Sequence, residues 1–569
     1  MKKIKKRDHC ESFFLKAVRA YWQKEDSELA EKFCRKIIAR DSNHAGAYHI
    51  LGKALKERVN ATKAEVHEAI LSLNRACQLS PNPLVLLDLA AACSEAGLYE
   101  DSEKFRLHAL ALDPGNLLLK LAASVGQPPS SPRSLESINV YISHLKEAIK
   151  SFTGIDLAEF SFRKYTSPYF KDVYLFAEEA SPLLALNYYG ISTAELKAEY
   201  GRIFKCSRQS QRIESVRSIP KIGFVATSAE RGVFCKETSG IVNHWDYKKA
   251  SLLIICSPFD LDFLKEYMPR ARYLLVTQKP IEAIEAQSFD LLYFWNASID
   301  YFLPYWRLAP VQVTSFGASD TTSPAIDYFI SSELWETEDA DKNYVEAQGL
   351  IKLKNIPSYY YRPEIKAGDQ TKVQKTGKHV YSFPHMLWKL HPDFDEVLRC
   401  LLERDPAALI IIPGVMDSSG INFSRERLEK AMPEELRRRI EYTPRLAWES
   451  FLNILAQSDV ILDPFYFSGC NVSREALAMG TPIITLPGQT MRSRYTYGFY
   501  KAMGGDFEEC IATDPDDYVR KALRLAQDRE LRENVRQRIL DLNHVLFENL
   551  EAVKEFEDCL LKLIENARN

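Results

Sequence analysis

The chain has 569 residues, enough for three or four units at about 150 residues per domain. Lysine plus arginine number 74 and aspartate plus glutamate 77, a net charge of −3, which argues against a dedicated nucleic-acid binder. Hydrophobic residues make up 46% and charged residues 27%, which excludes disorder, collagen and a coiled-coil rod as the main architecture. The eleven cysteines form no Cys-x-x-Cys pair, a pattern of reduced thiols rather than of disulfides or a zinc site. The basic start, Met1 to Phe14, leads into no apolar signal-peptide core. No apolar run reaches the roughly 18–20 residues of a membrane helix. Together these features predict a cytoplasmic protein without a membrane span.

Residues 1–126 show helical periodicity only. Three similar turns punctuate them: Asp41-Ser42-Asn43-His44, Ser80-Pro81-Asn82-Pro83 and Asp113-Pro114-Gly115-Asn116. The spacings are 39 (80 − 41) and 33 (113 − 80) residues, the second near the ~34-residue period of tetratricopeptide repeats. An insertion near Val59-Asn60-Ala61-Thr62 accounts for the first. Ala45-x-x-Tyr48-x-x-Leu51-Gly52 resembles the first helix of such a repeat, where a small residue lets the second helix approach. A generic array of helical hairpins is the plainer alternative. So few repeats are expected to lean on the next domain to cover their exposed face.

Residues 127–215 open on Gln127-Pro128-Pro129-Ser130-Ser131-Pro132 and read as a helical connector. Ser192-Thr193-Ala194-Glu195 has the form of a capping box ahead of a helix over 192–204.

From Lys221 short apolar strands alternate with helices. Six strands are predicted first: 222–226, 251–256, 273–277, 291–295, 311–316 and 328–331. Five follow: 380–383, 409–413, 440–443, 460–462 and 483–486. The Pro357-Ser358-Tyr359-Tyr360-Tyr361-Arg362-Pro363 segment separates the two series. This alternation predicts two doubly wound α/β domains, 216–365 and 366–569. Ligands in such folds sit where strand ends meet helix N-termini.

Two stretches carry candidate chemistry. In Leu462-Asp463-Pro464 through Ser468-Gly469-Cys470-Asn471-Val472-Ser473-Arg474-Glu475, a buried strand ends in a loop and a helix begins. Gly469 permits close backbone approach, and the helix start suits a diphosphate. Glu475, one turn in, can accept bonds from ribose hydroxyls. An ordinary strand–loop–helix, with Glu475 simply stabilising the dipole, fits equally. In Phe383-Pro384-His385-Met386-Leu387-Trp388-Lys389-Leu390-His391-Pro392, Lys389 is placed to reach phosphate oxygens. A solvated surface lysine is the bland alternative. His385 can donate to a phosphate or the sugar, or be a satisfied loop histidine. Cys470 reads as small packing rather than a nucleophile. Arg492 and Arg494 either face the cleft or lie on a helix surface.

Taken together, Lys389-Leu390-His391-Pro392-Asp393, the 462–488 stretch and Arg492-Ser493-Arg494-Tyr495-Thr496-Tyr497-Gly498 resemble the catalytic half of O-GlcNAc-transferase-like proteins. That family joins tetratricopeptide repeats to a GT-B glycosyltransferase. It includes bacterial protein glycosyltransferases and cytoplasmic N-glucosyltransferases that modify adhesins. Ser315-Phe316-Gly317-Ala318-Ser319-Asp320-Thr321-Thr322 with Asp327-Tyr328 resembles a further family motif, preceded by Tyr301-Phe302-Leu303-Pro304 and Leu308 to Gln312. The resemblance spans about Lys221 to Ile539.

The resemblance implies an α plus α/β architecture: N-terminal repeats followed by a GT-B pair. It implies inverting transfer of a hexose or N-acetylhexosamine from a UDP-sugar, UDP-Glc or UDP-GlcNAc first, with no metal required. The acceptor would be a Ser, Thr or Asn side chain of a protein bound by the repeats, flagellin- or adhesin-like by family precedent. Lys389 matches the diphosphate lysine, and Asn471 and Val472 match the phosphate-holding loop positions beside Gly469 and Cys470. Glu475 matches the ribose-facing acid. Gly317, Thr321 and Thr322 match the loop bordering sugar and acceptor. The chain departs from the family in having His385 where Gln is frequent and Ala318-Ser319 where His-Pro is. No histidine stands in the Thr227-Ser228-Ala229-Glu230-Arg231 loop. Glu230 or Asp320 can then serve as general base if burial raises its pKa, or Glu230 merely pairs with Arg231. A non-catalytic repeat adaptor retaining the scaffold is the alternative from another class, and a GT-B enzyme acting on a small molecule or glycan a third.

Overall fold

A computed structural model of the protein describes residues 2–24, 27–56, 63–126, 128, 132, 134–157, 183–206, 217–226, 231–258, 260–276, 280–296, 302–318, 323–344, 348–364, 377–414, 422–444 and 446–568. The 59–62 insertion and the candidates Glu230, Asp320, Thr321 and Thr322 lie outside these residues.

The N-terminal region is an array of antiparallel helix pairs. Helices α1 (Lys2–Lys24) and α2 (Ser27–Ile38), α3 (Ala45–Lys56) and α4 (Lys63–Leu79), and α5 (Pro83–Glu95) and α6 (Tyr99–Leu112) pack in sequence order. Helices α7 (Leu117–Val125) and α8 (Leu135–Lys150) make a fourth pair. The three turns expected from sequence fall between α2 and α3, α4 and α5, and α6 and α7. Two of them cap the helix that follows. Asn82 accepts from the Leu84 amide, with Pro83 in the first turn, and Asn116 accepts from Leu118 and Leu119. Gly52 performs the small-residue role: a Cβ there would stand 2.6 Å from Leu73 Cγ and 3.0 Å from the Ala69 carbonyl oxygen. Asp88 on α5 ties the pairs together, accepting 2.6 Å from His49 Nε2 and 2.9 Å from Lys53 Nζ of α3.

The connector contributes the helix Ala194–Arg202. The helix begins one residue later than the expected Ser192–Glu195 capping box, with Thr193 in the cap position and no side-chain cap hydrogen bond. Thr193 precedes the helix with φ −116° and ψ 0°, outside the extended region a cap needs, and its buried hydroxyl finds no partner among the described residues.

The first α/β half is a seven-stranded parallel sheet ordered β3-β2-β1-β4-β5-β6-β7. Its strands are β1 (Lys221–Val225), β2 (Ser251–Cys256), β3 (Arg272–Leu275), β4 (Leu291–Phe294), β5 (Val311–Ser315), β6 (Tyr328–Ser332) and β7 (Gly349–Leu353). The second is a five-stranded parallel sheet ordered β10-β9-β8-β11-β12. It comprises β8 (His379–Ser382), β9 (Ala408–Ile412), β10 (Ile440–Tyr442), β11 (Val460–Leu462) and β12 (Ile483–Ile484). Eleven of these strands match the sequence expectation to within a few residues at each end, and β7 was missed. Both sheets reverse direction beside their first strand, between β1 and β4 and between β8 and β11. Such a switch point opens a crevice at the strands' carboxyl ends.

The two halves share one apolar cluster, from Phe224 and Tyr293 through Trp335 to Phe465 and Tyr518. The last helix, Leu550–Arg568, returns to the first sheet. Phe556 there meets Phe224 and Tyr293 edge-on, and Glu557 accepts from the Asp246 amide at 2.7 Å. No helix among the described residues is long and apolar enough to cross a membrane.

Candidate active site

The two stretches singled out in the sequence emerge at the β8/β11 switch point. β8 ends at Ser382, and Phe383-Pro384-His385 leads into a tight turn, Leu387–Lys389. β11 ends at Leu462, and the 463–469 loop leads into the helix Cys470–Ala478. Lys389 joins the loops: its Nζ donates to the Ser468 carbonyl at 3.0 Å and lies 4.1 Å from the Phe467 ring centroid.

Asp463 shapes the second loop. Its buried carboxylate accepts from Ser468 Oγ (2.7 Å), Thr485 Oγ1 (2.7 Å) and the Gly469 amide (2.8 Å). Burial raises its pKa, and these hydrogen bonds oppose the rise. The bonds fix the strand end against the helix start and aim the first helical turn into the crevice. Gly469 is required by proximity rather than by dihedral angle: a Cβ would stand 2.2 Å from His385 Cε1.

His385 is buried against Phe383 and Gly469, and neither ring nitrogen makes a well-formed hydrogen bond among the described residues. Desolvation and the nearby Lys389 charge hold its pKa well below the usual histidine range, so the imidazole is neutral. A neutral ring next to the lysine loop retains one N–H to offer an anion.

The helix Cys470–Ala478 presents its first turn to the same crevice, where its leading amides lack intrahelical partners. Cys470 and Asn471 are half-buried here, and Asn471 Oδ1 has no partner among the described residues. Burial pushes the Cys470 thiol far up, reinforced by Glu237, whose carboxylate lies 3.6 Å from Sγ. Thiolate chemistry is thereby disfavoured.

Glu475 lies one turn further in, where the two halves meet. Its Oε1 accepts from Tyr360 Oη at 2.7 Å and from Lys236 Nζ at 2.8 Å. Tyr360 belongs to the segment between the halves and Lys236 to the helix Arg231–Asn243 of the first half. The Lys236 ammonium also stands 3.9 Å above the centre of Trp448, the first residue of the helix Trp448–Gln457. Beneath them Arg474 pairs with Glu237 at 2.6 Å, donates to Ser358 Oγ at 2.8 Å and lies between the Tyr360 and Phe499 rings. Sequence reasoning missed Lys236, Tyr360, Trp448 and this buried pair. Only Trp448 left a signal, an aromatic opening a helix just after a strand.

Several sequence candidates resolve into scaffold. Arg492 is buried and donates to the Asn187 carbonyl at 2.9 Å, holding the connector. Arg494 donates to the carbonyls of Trp335 (2.7 Å) and Gly488 (3.0 Å) and stacks on Tyr497. Neither fits the exposed-surface alternative. The Asp327 carboxylate takes Arg307 in a forked pair at 3.0 and 3.2 Å, together with the Gln312 amide at 2.8 Å. Gly317 is a glycine because a Cβ would stand 2.7 Å from Trp295.

Residues 378–556 match the sequence profile of glycosyl transferase family 41. A tomato (Solanum lycopersicum) protein named as a probable UDP-N-acetylglucosamine–peptide N-acetylglucosaminyltransferase, SPINDLY, is 28% identical over 243 residues. That alignment covers 42% of this chain and 25% of the relative. The UDP-glucose:protein N-β-glucosyltransferase of Actinobacillus pleuropneumoniae is 24% identical over 240 residues, covering 42% of this chain and 38% of that protein. The chain thus spans about a quarter of the length of its plant relatives. In structure, an O-GlcNAc transferase from Thermobaculum terrenum superposes with a TM-score of 0.66 at 18% identity, covering 99% of this chain and 98% of that one. The resemblance to O-GlcNAc-transferase-like glycosyltransferases holds at both levels: a family 41 match over residues 378–556 and the fold of a bacterial O-GlcNAc transferase from end to end.

Proposed function

We propose that the protein is an inverting protein glycosyltransferase of the cytoplasm, moving a hexose or N-acetylhexosamine from a UDP-sugar to Ser, Thr or Asn side chains of an acceptor protein. One observation carries the reading. Lys389 bridges the two switch-point loops through Ser468, beside a neutral buried His385 and the half-buried first turn of the helix Cys470–Ala478. This arrangement suits a diphosphate. A lysine and a helix start give positive potential where the leaving group's charge develops, and His385 adds a donor without a competing proton equilibrium.

In the proposed step an acceptor oxygen or amide nitrogen forms a bond to the anomeric carbon. The bond from that carbon to the diphosphate breaks, and UDP leaves with the electron pair. Lys389 and the amides of Asn471 and Val472 steady the departing charge. Glu475 receives the ribose hydroxyls, and the Trp448 face offers a flat apolar surface beside them. The acceptor proton passes to Glu230 or Asp320. Gly317, Thr321 and Thr322 border the acceptor side, and the repeats hold the acceptor protein, as concave helical arrays do.

The test is a panel of UDP-glucose, UDP-galactose, UDP-GlcNAc and UDP-GalNAc, assayed for binding and slow hydrolysis with and without EDTA. One donor is expected to bind and turn over, indifferent to EDTA, with turnover lost in Lys389→Ala. Failure of the folded protein to bind UDP or any of the four donors overturns the reading. Glu230→Gln and Asp320→Asn then identify the base by which of them abolishes turnover while donor binding survives.

A further inference from the structure

We propose that Lys236 is a built-in competitor for the donor, occupying the nucleoside slot of the empty protein and setting how tightly a nucleotide binds. The inference rests on the donor-site reading above and goes beyond it. Lys236 belongs to the first half of the molecule, yet both of its anchors lie on the second. Its ammonium bonds Glu475 at 2.8 Å and covers the Trp448 indole at 3.9 Å. These are the carboxylate and the flat face that a ribose and its base would use. The lysine side chain is 37% exposed, whereas Glu475 is 2% exposed. The buried partner is therefore fixed in place and the solvated one can leave.

The cation–π contact cannot coexist with a base stacked on the same face of Trp448, and the ion pair competes with a ribose for Glu475. Lys236 and Tyr360 together fill both lone pairs of Glu475 Oε1, which leaves a ribose only Oε2 until the lysine gives way. A base stacked on Trp448 at about van der Waals distance needs the surface that the ammonium covers. Binding must expel Lys236 into water while the Arg474–Glu237 pair beneath, fully buried, keeps the two halves joined. Lys236 thus taxes affinity without holding the cleft shut.

Calorimetric titration with UDP tests this on wild type, Lys236→Met and Lys236→Arg. The methionine keeps the apolar stem and removes the charge, and the arginine keeps both the ion pair and the stacking. Tighter binding by Lys236→Met is expected, about 3- to 30-fold, the size of one ion pair plus one cation–π contact. Lys236→Arg is expected to stay near wild type, and the gap between methionine variant and wild type to narrow as salt rises. Melting curves without ligand establish that each variant is folded, with Lys236→Gln as a second neutral replacement. Unchanged or weaker UDP binding by both folded neutral variants overturns the proposal, because it makes Lys236 a bystander or a donor contact. Absence of UDP binding by wild type and variants alike instead overturns the donor-site reading on which the proposal stands.

Discussion

At the scale of single residues the site is defined by groups held in states they would not adopt in water. His385 is the clearest. Its folded pKa lies well below the unfolded value, so below about pH 6.5 the unfolded chain binds a proton that the folded chain refuses. Stability is then full above that pH and falls as the pH drops beneath it. The expected outcome is a melting temperature that declines from pH 6.5 to 5 in wild type and declines less in His385→Gln. Equal declines would show that His385 is protonated in the folded protein. Gly469 makes a second prediction. Alanine there would drive its methyl to 2.2 Å from His385 Cε1, so Gly469→Ala should cost about 1–3 kcal/mol by overpacking. It should also weaken donor binding by displacing the imidazole from the phosphate site. Chemical denaturation and UDP titration check the two effects separately.

At the scale of elements, helix pairs and strand-end loops do different work. In the repeats, α3 and α4 touch through Gly52, whose added Cβ would meet Leu73 and the Ala69 backbone. Gly52→Ala should therefore destabilise the N-terminal region by about 1–3 kcal/mol and leave donor hydrolysis unchanged, which separate thermal unfolding and turnover assays can show. The turns before α5 and α7 were legible because proline and capping asparagines announce themselves locally. The loops after β8 and β11 were legible because each carries its glycine or lysine within a few residues of a strand end. β7 was not. It is an edge strand with a half-exposed, lysine-bearing sequence, Gly349-Leu350-Ile351-Lys352-Leu353, and lacks the solid apolar run of the buried strands. The Ser192–Glu195 box was present as a motif, but the helix begins one residue later, with Thr193 in the cap position at φ −116° and ψ 0° and no side-chain cap bond.

At the scale of the whole molecule the site belongs to the interface, and there sequence said least. Glu475 is bonded by Lys236, 239 residues earlier, and by Tyr360, 115 residues earlier. No local pattern marks partners so far apart. Arg474 and Glu237, 237 residues apart, form the buried tie between the halves. Removing one partner strands the other charge, so Arg474→Met should cost about 3–5 kcal/mol. The double variant Arg474→Met/Glu237→Leu should recover much of the loss, and a thermodynamic cycle on unfolding measures both. The last helix, seated on the first sheet through Phe556, and the connector, stacked through Tyr188 on Phe467 at 4.9 Å, bring the remote ends of the chain to this centre. Through Phe467 the connector reaches Lys389, and it shares an apolar cluster with the repeats through Tyr189, Tyr200 and Leu121, so repeats, connector and cleft form one continuous structure. The measurement that tests the account most directly is transfer of radiolabelled sugar from each UDP-sugar to protein, comparing wild type with Lys389→Ala. Wild type is predicted to label protein from one donor, with the Lys389→Ala rate lower by about 100- to 1,000-fold, the scale of losing one preorganised charge contact. Equal labelling by both proteins would contradict the central role given to Lys389 and to the crevice it spans.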